Sequence, residues 1–214
     1  MKKTNEWEFY EERKDWNFER FEIETEDYLN WDFYELLKKH ATKESKILDL
    51  GTGGGEKLLK NFPDCDEILG TDYSEAMIKT ANENLKKSKR KNITFRLMDN
   101  LHMDVLKNYY DIVVARNTVT DPKQIYEAIK DNGYLLIKGV DQYDCYSLKL
   151  AFGVEKKEKK AISIIDYENC LKAGFKKVDL VSIAQIEYFK NKKILKAFLQ
   201  KVPILYDPET FQKK

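Results

Sequence analysis

From Lys46 onward, short apolar runs alternate with segments of helical periodicity. That alternation is the pattern of parallel strands joined by crossover helices, so we read an α/β chain. Runs at 47–50, 67–71, 92–97, 109–115 and 134–139, several rich in Ile and Val, predict five strands, and 178–186 predicts a sixth. Helices are predicted over 56–61, 74–86, 122–130 and 165–173. Asp121 before Pro122 has the form of an N-cap with proline at the first helical position, and Gly174 has that of a C-cap. Right-handed crossovers then give a doubly wound, mostly parallel sheet. After Phe189 only an amphipathic helix over 190–202, with Ile194, Leu195, Phe198 and Leu199 on its apolar side, and a V-P-I-L-Y-D-P tail follow.

The opening segment breaks this pattern. Its first 34 residues hold ten of the chain's 27 aromatics, including all three tryptophans, Trp7, Trp16 and Trp31. Such rings need an apolar partner. We expect an N-terminal helical cap over 1–34, a core over 35–189 and a C-terminal helix and tail over 190–214, all within a single domain. Eleven acids against five bases in the cap would repel a phosphate backbone.

Across the chain, 38 basic residues balance 37 acidic ones, which gives no general attraction to nucleic acid or anionic lipid. The densest basic run, 86–91, follows a predicted helix, where cations oppose the negative end of its dipole. No apolar run approaches the roughly 18 residues of a membrane span, and the start lacks the apolar segment of a secretory signal. A soluble, cytoplasmic protein is expected, with no membrane partner. Cys65, Cys145 and Cys170 lie far apart, in odd number and without zinc-ligand spacing, so free thiols and no metal are expected.

The most informative stretch is I-L-D-L-G-T-G-G-G-E-K-L-L at 47–59, a glycine turn between a strand and a helix. A nucleotide-triphosphate loop needs Gly-Lys-Ser/Thr, and here Glu56, Lys57 and Leu58 follow Gly55. A dinucleotide turn needs a third glycine where Glu56 stands, whose charge would also repel pyrophosphate. The Y-x-x-x-K spelling at Tyr126 and Lys130 precedes the fifth strand instead of following it, so it lacks the context of a reductase site.

Four pieces in order, I-L-D-L-G-T-G-G-G at 47–55, I-L-G-T-D-Y-S-E-A-M-I at 68–78, R-L-M-D-N-L at 96–101 and Y-D-I-V-V-A-R-N at 110–117, carry a resemblance to the class I S-adenosylmethionine-dependent methyltransferases. The D-N-G-Y-L-L-I turn at 131–137 adds a fifth. The resemblance implies a Rossmann-like fold with S-adenosylmethionine as cofactor. This cofactor has an amino-acid tail and no phosphate, so the turn needs backbone access at Gly51 and Gly53 but no anion site, and Glu56 is tolerable. Asp49 is placed to meet the tail's ammonium, directly or through water, as the matching acid does in the family. Asp72 is placed to accept the ribose hydroxyls, Tyr73 and Met77 to wall the adenine, Asp99 to accept its amino group, and the backbone at Asn100 and Leu101 to meet the ring edge.

Methyl transfer is an in-line displacement that asks the protein to hold the acceptor about 3 to 3.5 Å from the methyl carbon and to exclude water. The family places Arg116 and Asn117 beside that methyl. Arg116 either anchors an acceptor carboxylate or phosphate, or pairs with a structural acid. Asp141, after the fifth strand, is either a base that orients the acceptor or a loop acid. His102 is the nearer histidine; His40 is expected at the surface. The N-P-P-Y tetrad of amino methyltransferases is absent from R-N-T-V, and no cysteine nucleophile stands there. We expect a methyltransferase acting on a small-molecule substrate, with RNA or protein acceptors, or an inactive partner subunit, as alternatives. The cap, through Tyr10, Trp16 and Trp31, and the 141–163 stretch are expected to form a lid. The family's sheet usually has a seventh, antiparallel strand; this chain is expected to lack it.

Overall fold

The protein was analysed as a computed structural model, which describes residues 21–27, 31–153 and 160–202. Five parallel strands form its centre: β2 (Lys46–Leu50), β3 (Glu67–Asp72), β4 (Ile93–Leu97), β5 (Tyr110–Arg116) and β6 (Ile129–Lys138). They lie in the order β4-β3-β2-β5-β6. The order reverses between β2 and β5, so ligands are expected above the carboxyl ends of those two strands.

Alternation along these strands feeds both faces of the sheet. Ile47, Ile68, Ile112 and Val114 face a core built with Phe33, Leu37, Leu58 and Ala81. These come from helices α1 (Phe33–His40), α2 (Glu56–Asn61) and α3 (Glu75–Lys87). Leu48, Leu50, Val113 and Ala115 face the other side, against Ile125 and Ala128 of α4 (Pro122–Ala128). Because both faces are covered, the central strands read as mainly apolar runs without strict alternation, interrupted at Asp49 in β2 and Asp111 in β5. Each fully buried Leu, Ile or Val side chain contributes about 1.5–3 kcal/mol of transfer free energy.

Capping fixes the helix starts as the sequence predicts at Asp121, whose carboxylate accepts from Lys123 N at 3.0 Å and Gln124 N at 3.3 Å. Asp32 and Ser74 do the same for α1 and α3. Helix α4 stops at Ala128, two residues before the expected end, because Asn108 N and Tyr109 N take the carbonyls of Glu127 and Ala128. The chain enters β6 at Ile129, pairs with Tyr110, and bulges before Tyr134 pairs with Ile112. Lys130 thereby lies at the amino end of the sheet, bonded to both oxygens of Asp111 at 2.9 Å. Tyr126 stacks edge-on against Phe175. The Y-x-x-x-K spelling is thus structural. In the basic run, Arg90 binds the carbonyls of Phe62 and Pro63 at 2.8 and 2.7 Å and ties two loops together.

The carboxyl-terminal third departs from expectation. Two helices follow the sheet, α5 (Tyr146–Ala151) and α6 (Ile162–Ala173). The predicted sixth strand at 178–186 does not join the sheet. Residues 178–184 have no regular structure, and β7 (Gln185–Tyr188) pairs antiparallel with β1 (Glu24–Asp27) as a separate ribbon. Strand propensity expresses fit to a half-buried pleated surface, and Leu180, Val181 and Ile186 remain exposed at 45%, 50% and 43%. Among the described residues the main sheet therefore ends at β6, without an antiparallel last strand. Helix α7 (Lys192–Lys201) forms where its apolar spacing predicts, with Phe198 packed on Phe21 at 5.8 Å. Of the expected cap over 1–34, the described residues form the strand at 24–27 and the start of α1, while residues 1–20 and 28–30, Tyr10 and Trp16 among them, lie outside the described residues. Among the described residues no helix is long and apolar enough to cross a membrane.

Candidate functional site

Above the switch point the glycine turn is held by the ends of three strands. Gly51 adopts a φ of +69°, and a Cβ there would lie 2.6 Å from Thr118 Cβ, so the turn admits only glycine at this position. Thr52 N donates to Thr71 O at 2.8 Å. Gly53 N donates to Asp72 Oδ2 at 2.9 Å, and Asp72 Oδ1 accepts from Ser74 N at 3.0 Å. Asp72 is buried, and that burial, helped by the charge of Asp49, raises its pKa against the backbone bonds from Ser74, Gly53 and Tyr73 that favour the anion.

Asp49 and Arg116 end β2 and β5 on the same face of the sheet. Arg116 Nη2 donates to Asp49 Oδ2 at 2.8 Å and Nη1 to Tyr34 Oη at 3.1 Å. The guanidinium lies over the rings of Phe62, at 5.4 Å, and Tyr34, at 5.9 Å. Asp49 is 0% exposed. Burial raises its pKa, and the charge and hydrogen bond of Arg116 oppose that rise. Thr52 adds a smaller stabilisation of the anion, yet neither Asp49 Oδ1 nor Thr52 Oγ1 completes a well-formed hydrogen bond. Of the two roles open to Arg116, the geometry matches pairing with a structural acid.

The loop after β4 carries Asp99, Asn100 and Leu101. Asp99 accepts from Leu101 N at 2.9 Å and from His102 Nδ1 at 3.0 Å, and these bonds hold its pKa below the ordinary value. His102 is thus a partner of Asp99. Asn100 is buried, donates from Nδ2 to Thr118 Oγ1 at 2.9 Å, and leaves Oδ1 without a partner. Met77, 2% exposed, sits under the first turn of α3, and Tyr73 stands exposed at the rim.

Asp141 does not stand free as a base. It accepts from Gln142 N at 2.7 Å, Ile162 N at 2.9 Å and Ser163 Oγ at 2.5 Å, which fastens the loop after β6 to the start of α6. Burial would raise its pKa, but these bonds outweigh burial and lower it. Asn117 extends β5 by donating its N–H to Lys138 O at 2.8 Å, with φ of 51°. Burial and the neighbouring Asp144 and Glu187 push the Cys145 thiol up to about 12, so it stays protonated and inert. His40 packs against Tyr134, with ring centroids 4.0 Å apart.

The expected site residues from Asp49 to Asn117 lie at or just past the carboxyl ends of β2, β3, β4 and β5, with Asp49 buried, and Asp141 follows β6. Sequence reasoning missed three contributors: Tyr34, Thr52 and Thr118. Two were within reach of the motif spacing, Thr118 standing directly after R-N and Thr52 between two of the glycines, while Tyr34 lies in the opening segment outside every motif. The fit to S-adenosylmethionine rests on the unpartnered atoms. Asp49 Oδ1, Thr52 Oγ1, Asn100 Oδ1 and Arg116 Nε are buried and lack hydrogen bonds; the three oxygens suit a ligand bearing ammonium, amino and hydroxyl donors, and the Arg116 N–H is left for an acceptor. Among the described residues, no three His, Cys, Asp or Glu side chains gather to hold a metal.

Comparison with known proteins agrees with this fit. The chain is 32% identical over 110 residues to the ribosomal protein L11 methyltransferase of Listeria innocua, covering 49% of this chain and 35% of that protein. It is 35% identical over 95 residues to the release factor glutamine methyltransferase of Flavobacterium psychrophilum, covering 43% and 33%. The chain thus spans about a third of the length of these curated relatives. Both names are those of enzymes acting on proteins, a finding that overturns the small-molecule substrate expected from the sequence. In fold it matches a SAM dependent methyltransferase from Aquifex aeolicus with a TM-score of 0.55 at 18% identity, over 73% of this chain and 88% of that one. The family described as methyltransferase domain matches residues 41–198. With that match spanning most of the chain, the chain belongs to the methyltransferase domain family.

Proposed function

We propose that this enzyme transfers the methyl group of S-adenosylmethionine to a side chain of a protein acceptor. The observation that carries the reading is the similarity to enzymes named for ribosomal protein L11 and for release factor glutamine. The rim of the site supports it, because Leu101, Val119 and Tyr143 expose apolar surface at 45%, 63% and 62% that an acceptor protein can cover. A substrate in the translation machinery would put the reaction in the cytoplasm.

When bound, the cofactor supplies a methyl group on a cationic sulfur. The protein's part is to bind, orient and exclude water. In this proposal Gly51 and Gly53 admit the tail to the turn, and Asp49 is the counter-charge for its ammonium. Asp72 accepts from the ribose with the lone pairs its two backbone bonds leave free. Tyr73 and Met77 wall the adenine, and Asp99, Asn100 and Leu101 meet its edge. Asn117 borders the methyl. Asp141 acts by fastening the loop after β6 to the start of α6, not as a base.

The test is incubation of the purified chain with methyl-labelled cofactor and, in separate reactions, ribosomal protein L11, a peptide-chain release factor, total RNA and a protein-free metabolite extract. Label in acid-precipitable, protease-sensitive material is expected. Label in RNA or in the metabolite fraction alone would overturn the proposal.

A further inference from the structure

Two buried carboxylates, Asp49 and Asp72, and the largely buried guanidinium of Arg116, 11% exposed, lie at the carboxyl ends of the central strands. The set is short of one positive charge. Arg116 Nη2 satisfies Asp49 Oδ2 at 2.8 Å, Tyr34 Oη holds the other amino group of the guanidinium at 3.1 Å, and Asp49 Oδ1 has no hydrogen bond. A carboxylate fully withdrawn from water reverts to its neutral form unless a cation stays beside it. Neutral acid would meet an ammonium poorly.

Resting on the assignment of Asp49 to the cofactor's ammonium, we propose that Arg116 is a positioning residue for the cofactor's amino-acid tail. It keeps Asp49 anionic and turned so that Oδ1 remains for the incoming cation, directly or through one water, and it does not anchor the acceptor. The missing charge is then brought by the ligand. Phe62 and Tyr34 hold the guanidinium in place from the α1 side, which leaves it one geometry. The groups that act on Asp49 are Arg116 from β5, the Thr52 hydroxyl from the turn and, by charge, Asp72 from β3, with Tyr34 of α1 behind the guanidinium.

The sign of the pH effect follows. Cofactor binding needs the anion, so affinity falls as pH drops through the pKa of Asp49. Removing the guanidinium raises that pKa further and carries the fall to higher pH. Calorimetric titration with S-adenosylmethionine across pH, on the wild type, Arg116→Met, Arg116→Lys and Asp49→Asn, tests this. The expected result for Arg116→Met is binding weakened more than roughly tenfold at neutral pH, recovering as pH rises, with Arg116→Lys restoring most of the wild-type profile. Asp49→Asn should bind weakly with no such limb. Should Arg116→Met prove insoluble, the double variant Arg116→Met/Asp49→Asn, which leaves no unpaired buried charge, must fold and match Asp49→Asn in affinity. An unshifted profile in Arg116→Met, tighter binding, or loss of turnover with wild-type cofactor affinity would overturn the proposal. Wild-type affinity in Asp49→Asn would instead remove Asp49 from the ammonium role.

Discussion

Gly51→Val is expected to abolish cofactor binding and to cost the fold roughly 2–5 kcal/mol, since a left-handed backbone conformation and overpacking each carry a penalty of one to a few kcal/mol. Two independent causes act at this position. The φ of +69° is strained for any residue with a Cβ, and that Cβ would meet Thr118 Cβ at 2.6 Å and its Cγ2 and Oγ1 at 2.9 Å. Thr118 cannot simply retreat, because its hydroxyl accepts the amide of buried Asn100. Strain at the turn therefore spreads to the loop after β4. Adding Thr118→Gly should relieve the contact but not the backbone strain, and so restore stability only in part. Denaturant unfolding of the single and double variants measures both components. Wild-type stability and affinity in Gly51→Val would mean that the turn does not have the conformation described.

Asp72→Ala is expected to weaken cofactor binding more than roughly tenfold and also to destabilise the fold, because each stranded buried donor costs about 1–3 kcal/mol. From the sequence, Asp72 ends a strand, and its loss should spare the fold. The structure changes that expectation. With 8% exposure, the carboxylate holds Gly53 N and Ser74 N, so alanine leaves two buried N–H groups without partners. Asp72→Asn keeps the shape but has one acceptor oxygen instead of two, and it should fall between alanine and the wild type. Paired unfolding and calorimetry separate the effects. Full stability in Asp72→Ala would remove the carboxylate from the turn, and unchanged affinity would remove it from the ribose.

The parallel sheet was legible because its central strands are buried on both faces, which makes 47–50 and 109–115 mainly apolar runs, each broken by one aspartate. Caps at Asp121 and Gly174 were legible because their chemistry is local. Residues 178–186 misled because their Val, Leu and Ile have strand character but no surface to cover. The site was legible as a set of positions and less so as a set of bonds. Spacing placed Gly51, Asp72, Asp99 and Asn117 at the carboxyl ends of four strands, and the sheet sets those strands side by side. It left open that Arg116 would turn to Asp49, or that Asp141 would be taken up by Ile162 and Ser163 some twenty residues further on. Such pairings depend on which strands lie side by side and on what covers them, and motif spacing does not encode either.

The central claim is that the carboxyl edge of the five-stranded sheet holds the cofactor. Amide hydrogen exchange read by mass spectrometry, with and without saturating demethylated cofactor, measures this on the intact chain with no acceptor needed. The account predicts slowed exchange concentrated at 51–55, 72–74 and 99–101, with the amino ends of the same strands unchanged. Uniform protection, or protection confined to residues outside the site, would contradict it.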